Sequence, residues 1–249
     1  MNVIFMSKTK LLCMDDSYLK ECEATVLEII DHEGKPYIIF DQTIFYPTGG
    51  GQPCDTGKIM HEGKSCDVIE VIKRDGNILH NISGVPESLI PGSKVHMHVD
   101  WDRRYALMKM HTASHLVDAV LYRDGKILVT GNSLGVEKTR IDFNMPQFTV
   151  EKIQEYIHIS NELIKKDLKV KNYYLPREQA MKIPGIVKLA GALPPDIPIL
   201  RITEIEGLDI QADGGTHVRS LHELGKIKFL DMENKGKDRK RIYFELADD

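Results

Sequence analysis

Hydrophobic and polar positions follow two different periods along the chain, and the change falls near Trp101. Before it the pattern is one of short strands. Residues 23–30 and 36–43 are rich in β-forming side chains and flank Asp31-His32-Glu33-Gly34, a hairpin signal. Residues 67–72 and 77–82 repeat the arrangement around Asp75-Gly76. Residues 93–101 alternate Val95, Met97 and Val99 with His96, His98 and Asp100, which predicts a strand with one buried face. Short strands at this spacing predict a small β-barrel.

After Trp101 the period lengthens. Residues 102–122 contain neither Gly nor Pro, and Ala106, Met110, Ala113, Val117 and Val120 recur at spacings of four and three. That pattern predicts an amphipathic helix with His111 and His115 at the edge of its buried stripe. A second helix is predicted over 150–168, with Val150, Ile153, Ile157, Ile164 and Leu168 on one face and Thr149 as its N-cap. Residues 199–206, 208–211, 226–232 and 241–246 read as strands. The predicted fold class is α+β: a β-barrel domain over 1–95, then an α+β domain over 96–249.

Composition narrows the setting more than the function. The 249 residues, 42% apolar and 28% charged, are enough to bury the core of one large or two modest domains. No apolar run approaches the roughly 20 residues needed to span a bilayer, and residues 1–10 lack the apolar core of a signal peptide. Cys13, Cys22, Cys54 and Cys66 form no C-x-x-C pair, so a reducing cytoplasm is the natural setting. A net charge of −4 does not by itself mark a nucleic-acid binder. Lys235, Lys237, Arg239, Lys240 and Arg241 nevertheless cluster, as either a solvated hairpin tip or a phosphate contact.

Three segments can carry chemistry. His111 and His115 lie four apart on the predicted helix, so both rings leave one face and can share a divalent metal. Thr112 follows His111, so the glutamate of the H-E-x-x-H zinc proteases is absent. In Asp213-Gly214-Gly215-Thr216-His217, paired glycines allow a sharp turn that aims Asp213 and His217 at one point. Those two donors would complete a four-ligand shell with His111 and His115; a plain turn between strands is the alternative. In Thr43-Ile44-Phe45-Tyr46-Pro47-Thr48-Gly49-Gly50-Gly51-Gln52-Pro53, three glycines let backbone amides approach a ligand, or simply make a flexible turn.

Taken in this order, the segments resemble the editing domain of alanyl-tRNA synthetase and, more closely, the free-standing editing proteins of the AlaX family. That family's pattern is T-x-F-Y-P-x-G-G-G-Q-P, then H-T-A-x-H, then C-G-G-T-H-V. The flanks agree as well: Asp55 and Gly57 after the loop, Arg104 and Met108 before the helix, Asp209-Ile210-Gln211 before the turn. The likeness covers nearly the whole chain from about Leu11 and points to the medium-sized subgroup. One position departs from the pattern: Asp213 stands where the family has a cysteine ligand. Carboxylate is a legitimate but harder donor for zinc, and the fourth ligand is either Asp213 or a water.

The resemblance implies a trans-acting, zinc-dependent hydrolase that deacylates mischarged alanine tRNA, carrying serine and as a second candidate glycine. No membrane or ATP is expected as a partner. It implies zinc on His111, His115, Asp213 and His217, either activating a water or holding the substrate's amino group. Thr43, Gly50, Gly51 and Gln52 are the expected catalytic positions. Thr43, Gln211 and Thr216 are the expected substrate contacts, with Thr43 as partner of the serine hydroxyl. Lys237, Arg239 and Lys240 are the expected tRNA contacts. The rival reading is a tRNA- or synthetase-binding protein with a structural zinc and no deacylase activity; a generic small-ester metallohydrolase is a third.

Overall fold

The computed structural model describes residues 9–144, 149–186, 197–236 and 239–248. The chain divides into two compact units, Met1–Tyr105 and Ala106–Asp249, and its fold is α+β.

The first unit contains β1 (Lys10–Leu11), α1 (Leu12–Asp15), β2 (Glu21–His32), β3 (Lys35–Phe40), β4 (Gln42–Thr43), β5 (Gly57–His61), β6 (Lys64–Arg74), β7 (Asn77–Ile82) and β8 (Lys94–Val99). Six of these strands close into a barrel in the order β2-β3-β7-β6-β5-β8, which leaves no open sheet edge. Glu33-Gly34, Glu62-Gly63 and Asp75-Gly76 have positive φ at both positions, the geometry of two-residue hairpin turns. Strand β8 alternates as its sequence predicts, with Val95, Met97 and Val99 buried inside. Val26, Ile38, Phe40, Phe45, Val71 and Ile78 fill the rest of that interior.

A buried ion pair fixes the segment after β4. The Arg104 guanidinium reaches Asp55 through Nε at 2.9 Å and through a very short Nη2 contact. It also donates to the carbonyls of Ser17 at 2.9 Å and Ile44 at 2.6 Å. Burial works against its charge, but Asp55 outweighs burial and holds the guanidinium protonated. Asp55 in turn accepts from the Tyr46 amide at 2.5 Å. Gly57 has no room for a side chain, because a Cβ there would lie 2.1 Å from the His98 carbonyl oxygen. The family-pattern residues Asp55, Gly57 and Arg104 are thus structural.

Helix α2 (Trp101–Gly125) contains the division between the units. Beyond it lie β9 (Val129–Ser133), β10 (Thr139–Asn144), α3 (Val150–Ile164), β11 (Val170–Pro176), α4 (Arg177–Ala180), β12 (Ile199–Ile205), β13 (Asp209–Ala212), β14 (Lys226–Asn234) and β15 (Arg239–Ala247). They form a four-stranded sheet, β14-β15-β10-β9, and a three-stranded sheet, β11-β12-β13. Asn161 of α3 stitches helix to sheet by exchanging hydrogen bonds of 2.9 and 2.8 Å with the backbone of Ile227.

Two expectations are corrected here. Helix α2 is not amphipathic over its central part: every residue from Met110 to Leu121 is buried, including His111, Thr112, Ser114, His115 and Asp118. Among the polar ones, Ser114 donates to the Met110 carbonyl at 2.9 Å. Helix α3 is capped by Thr149 as predicted but stops at Ile164 rather than 168, and Asp167 turns left-handed at φ 50°. Strands β5, β9, β10 and β11 were not anticipated from the sequence; Gly131-Asn132-Ser133 within β9 has the composition of a turn.

Candidate metal centre

Helix geometry delivers the first two donors. His111 and His115, one turn apart on α2, are both buried and their rings lie 5.0 Å apart. The turn after β13 delivers the other two, and the His217 ring packs 4.4 Å from His111 and 4.8 Å from His115. One donor atom from each of His111, His115, Asp213 and His217 lies within 4.8 Å of all the others. Asp213 Oδ1 is 3.5 Å from His111 Nε2 and 3.6 Å from His115 Nε2. In a tetrahedral shell with bonds of about 2.0–2.1 Å, neighbouring donors are about 3.3–3.4 Å apart. The two edges from Asp213 Oδ1 are close to that length, and the chemistry of the donor set, three imidazoles and a carboxylate, fits a four-coordinate divalent ion.

Asp213 uses its two oxygens differently. Oδ1 faces His111 and His115, while Oδ2 accepts from the Gly215 amide at 2.6 Å and from His217 Nε2 at 2.8 Å. The side chain itself therefore shapes the turn. Gly214 and Gly215 are not among the residues of positive φ.

The charges in the cluster are strongly coupled. Burial disfavours the Asp213 carboxylate, but the three imidazoles outweigh it and hold its pKa well below the usual range. Burial pushes His111 well below 6.5 and His217 down to about 4. For His115 burial also opposes the proton, yet Asp213, with Asp209 and Asp118 behind it, raises its pKa. Behind the ligands, Gln211 Nε2 joins the buried carboxylates of Asp118 at 2.9 Å and Asp209 at 2.8 Å. Arg201 donates to the Asp213 carbonyl at 3.3 Å.

Thr112 was named in the sequence only as the residue that breaks the protease motif. Its hydroxyl lies 3.1 Å from His217 Nδ1 and accepts from the Val218 amide at 3.2 Å, so it supports a ligand from behind. The H-T-A-x-H pattern contained that signal; Arg201 and Asp118 had none. Thr216, expected to touch substrate, is fully buried between Gly215 and His217. Gln211 is engaged with the two carboxylates.

The remaining predicted positions belong to the barrel unit or to the β14–β15 hairpin. Thr43 is fully buried. His80 Nδ1 faces the Ile38 carbonyl at 3.1 Å, which only accepts, so Nδ1 carries the ring hydrogen. His80 Nε2 therefore accepts the Thr43 hydroxyl hydrogen at 2.9 Å, and the Phe45 amide donates to Thr43 Oγ1 at 3.1 Å. Burial lowers His80 to about 4 and keeps it neutral. Gly50 and Gly51 are exposed at the tip of a tight turn closed by reciprocal Gly49–Gln52 backbone bonds of 3.0 and 2.9 Å, and Gln52 is buried. Arg239 is exposed at the start of β15, Lys240 is buried with its ammonium on Asn234 at 2.8 Å, and Lys237 lies outside the described residues.

Comparison with known proteins places this geometry in a lineage. Residues 13–103 match the family model described as tRNA synthetases class II (A). Residues 200–243, which include Asp213 and His217, match the threonyl and alanyl tRNA synthetase second additional domain. The alanyl-tRNA editing protein AlaX-M of Saccharolobus solfataricus is 49% identical over 240 residues, covering 96% of this chain and 99% of that one. AlaX-M of Methanosarcina barkeri is 41% identical over 245 residues, covering 96% and 100%. The alanine–tRNA ligase of Pyrobaculum aerophilum is 36% identical over 236 residues, which is 92% of this chain but 26% of the ligase. Among the described residues no helix is long and apolar enough to cross a membrane. Similarity at this level over essentially the full length of both chains means that the chain belongs to the AlaX-M family of alanyl-tRNA editing proteins.

Proposed function

We propose that this chain is a trans-acting deacylase that cleaves the ester between a wrong amino acid and the 3′-terminal ribose of alanine tRNA, with zinc held by His111, His115, Asp213 and His217. The observation that carries the reading is the convergence of three imidazoles and one carboxylate within 4.8 Å of one another, with Asp213 Oδ1 3.5 and 3.6 Å from two of the imidazoles. When bound, zinc would either lower the pKa of a water toward about 7 or hold the substrate's amino group. The chain's residues do the rest. Asp213 keeps one oxygen toward the imidazoles while the Gly215 amide holds the other. Gln211, fixed between Asp118 and Asp209, presents a carboxamide of set orientation, and with Thr216 it is the proposed substrate contact. In the barrel unit, Gly50, Gly51 and Gln52 are proposed to fix the attacking water or the tRNA terminus.

Serine differs from alanine by one hydroxyl, so correct alanine tRNA survives only if that hydroxyl is read. The buried Thr43 hydroxyl, with His80 Nε2 at 2.9 Å, Met97 Sδ at 3.6 Å and the Phe45 amide at 3.1 Å around it, is the proposed partner of the serine hydroxyl. A buried partner of this kind can discriminate by up to roughly 10⁴ to 10⁵-fold. The relatives' names carry editing to alanyl-tRNA, and this chain spans 96% of its own length in those alignments. The decisive experiment incubates the chain with serine-, glycine- and alanine-charged alanine tRNA, with and without a chelator. Serine release that the chelator abolishes, with alanine retained, is the expected result. No release from any charged tRNA would favour a binding protein with a structural metal, and equal release of serine and alanine would refute discriminating editing.

A further inference from the structure

A second group of metal-ligating side chains lies on the barrel unit, and none of them has a part in the proposed deacylation. His96 and His98 follow Lys94 at alternate positions of β8 and therefore lie on the same outer face of the strand. Glu21 of β2 is the direct cross-strand partner of His98. Glu21 Oε2 is 3.4 Å from His96 Nε2 and 3.4 Å from His98 Nδ1, and the two rings are 4.4 Å apart. All three donors lie within 4.8 Å of one another and remain partly open to solvent. We infer that Glu21, His96 and His98 form a second, outer binding site for a divalent transition-metal ion of the zinc type.

The distances select this chemistry. Two separations of 3.4 Å match the edges of a tetrahedron with bonds of about 2.0–2.1 Å, and the third, between the two imidazole donors, is within 4.8 Å. Two imidazoles with one carboxylate suit zinc or nickel and not magnesium or calcium, which take oxygen shells. Two lysines flank the group, Lys94 two residues before His96 on β8 and Lys58 on β5. Lys58 stands across from His98 on β5, but its ammonium is bound to Asp67 at 2.9 Å. Glu23, across from His96, adds a further negative charge on this side. An ion held there ties β2 to β8, strands whose ligands are 75 residues apart in sequence. Binding is therefore linked to the stability of the barrel.

The test titrates zinc into the metal-stripped full chain against a chromophoric chelator. The wild-type chain is expected to take two equivalents, and His96→Gln/His98→Gln one. His111→Gln/His115→Gln is also expected to take one, held at the outer site and raising Tm. Glu21→Gln, which leaves the buried cluster untouched, is expected to weaken one of the two wild-type equivalents at least about tenfold, the lower range for losing even a supporting partner of a ligand. That measurement stands whether or not the buried double variant folds. A His96→Gln/His98→Gln chain that binds as many equivalents as wild type, with the same affinities, overturns the assignment. The assignment is independent of the deacylase reading, since a chain without deacylase activity that still loses one equivalent on this substitution supports it.

Discussion

Replacing Thr112 by valine separates a ligand support from a packing residue. In the metal-free cluster, His217 Nε2 faces the Asp213 carboxylate at 2.8 Å, so Nε2 carries the hydrogen and Nδ1 accepts from the Thr112 hydroxyl at 3.1 Å. A metal on Nε2 reverses the tautomer: Nδ1 then donates, and Thr112 Oγ1 accepts. A hydroxyl serves both states while also accepting from the Val218 amide. Valine serves neither, although it fills nearly the same volume. Each buried group left unpaired costs about 1–3 kcal/mol, and removing a ligand's outer partner weakens metal binding about 10–100-fold. Zinc affinity by chelator competition and urea unfolding of the stripped chain read the two effects separately. The expected outcome is loss in both for Thr112→Val, with zinc affinity restored by Thr112→Ser. A valine variant that is less stable but binds zinc with wild-type affinity would refute the support role and leave Thr112 a packing residue.

Asp213→Ala is expected to weaken zinc binding, whereas Asp213→Cys retains zinc but destabilises the stripped chain by about 1.5–3 kcal/mol, because the charge-assisted bond from the Gly215 amide is lost; wild-type zinc affinity in the alanine variant would remove Asp213 from the shell. Thr43→Val should lower the preference for serine over alanine more than it lowers stability, and unchanged discrimination in a folded variant would take Thr43 out of substrate recognition. Changing Lys237 and Arg239 to Gln should weaken tRNA binding and reduce its salt slope by about one per lost phosphate contact, while Lys240→Gln should act mainly on stability because its ammonium is committed to Asn234; an unaltered slope makes the tip a solvated hairpin. His80 titrates near 4 when folded and about 6.5 when unfolded, so the unfolded chain gains a proton first and stability falls as pH drops through that window, by about 1.4 kcal/mol per pH unit and about 3 kcal/mol in all. The stability gap between wild type and His80→Gln should therefore narrow from pH 7 to 4.5 in urea unfolding, and parallel curves would show that His80 does not carry the dependence.

What the sequence disclosed follows from how local each signal is. Alternation in β8 and the Asp75-Gly76 turn are written in adjacent residues, and both appear as read. The pairing of His111 with His115 needs only the helical period. The burial of α2 on all sides was not legible, because Thr112, Ser114 and Asp118 look solvent-facing until their partners are known, and Gln211 and Val218 stand far off in the sequence. His80 occupies an interior position between Ile78 and Ile82, where periodicity alone asks for an apolar residue. What admits it is a pair of partners, the Ile38 carbonyl and the Thr43 hydroxyl, supplied by the neighbouring strand and the residues that follow it. Asp213 follows the same logic. As a letter in a motif it is only a departure from cysteine. In the fold the second oxygen matters, because a thiolate presents one atom to the metal whereas this carboxylate turns Oδ1 to the imidazoles and spends Oδ2 on the Gly215 amide. In this chain the second oxygen of the ligand is therefore also part of the turn that presents His217.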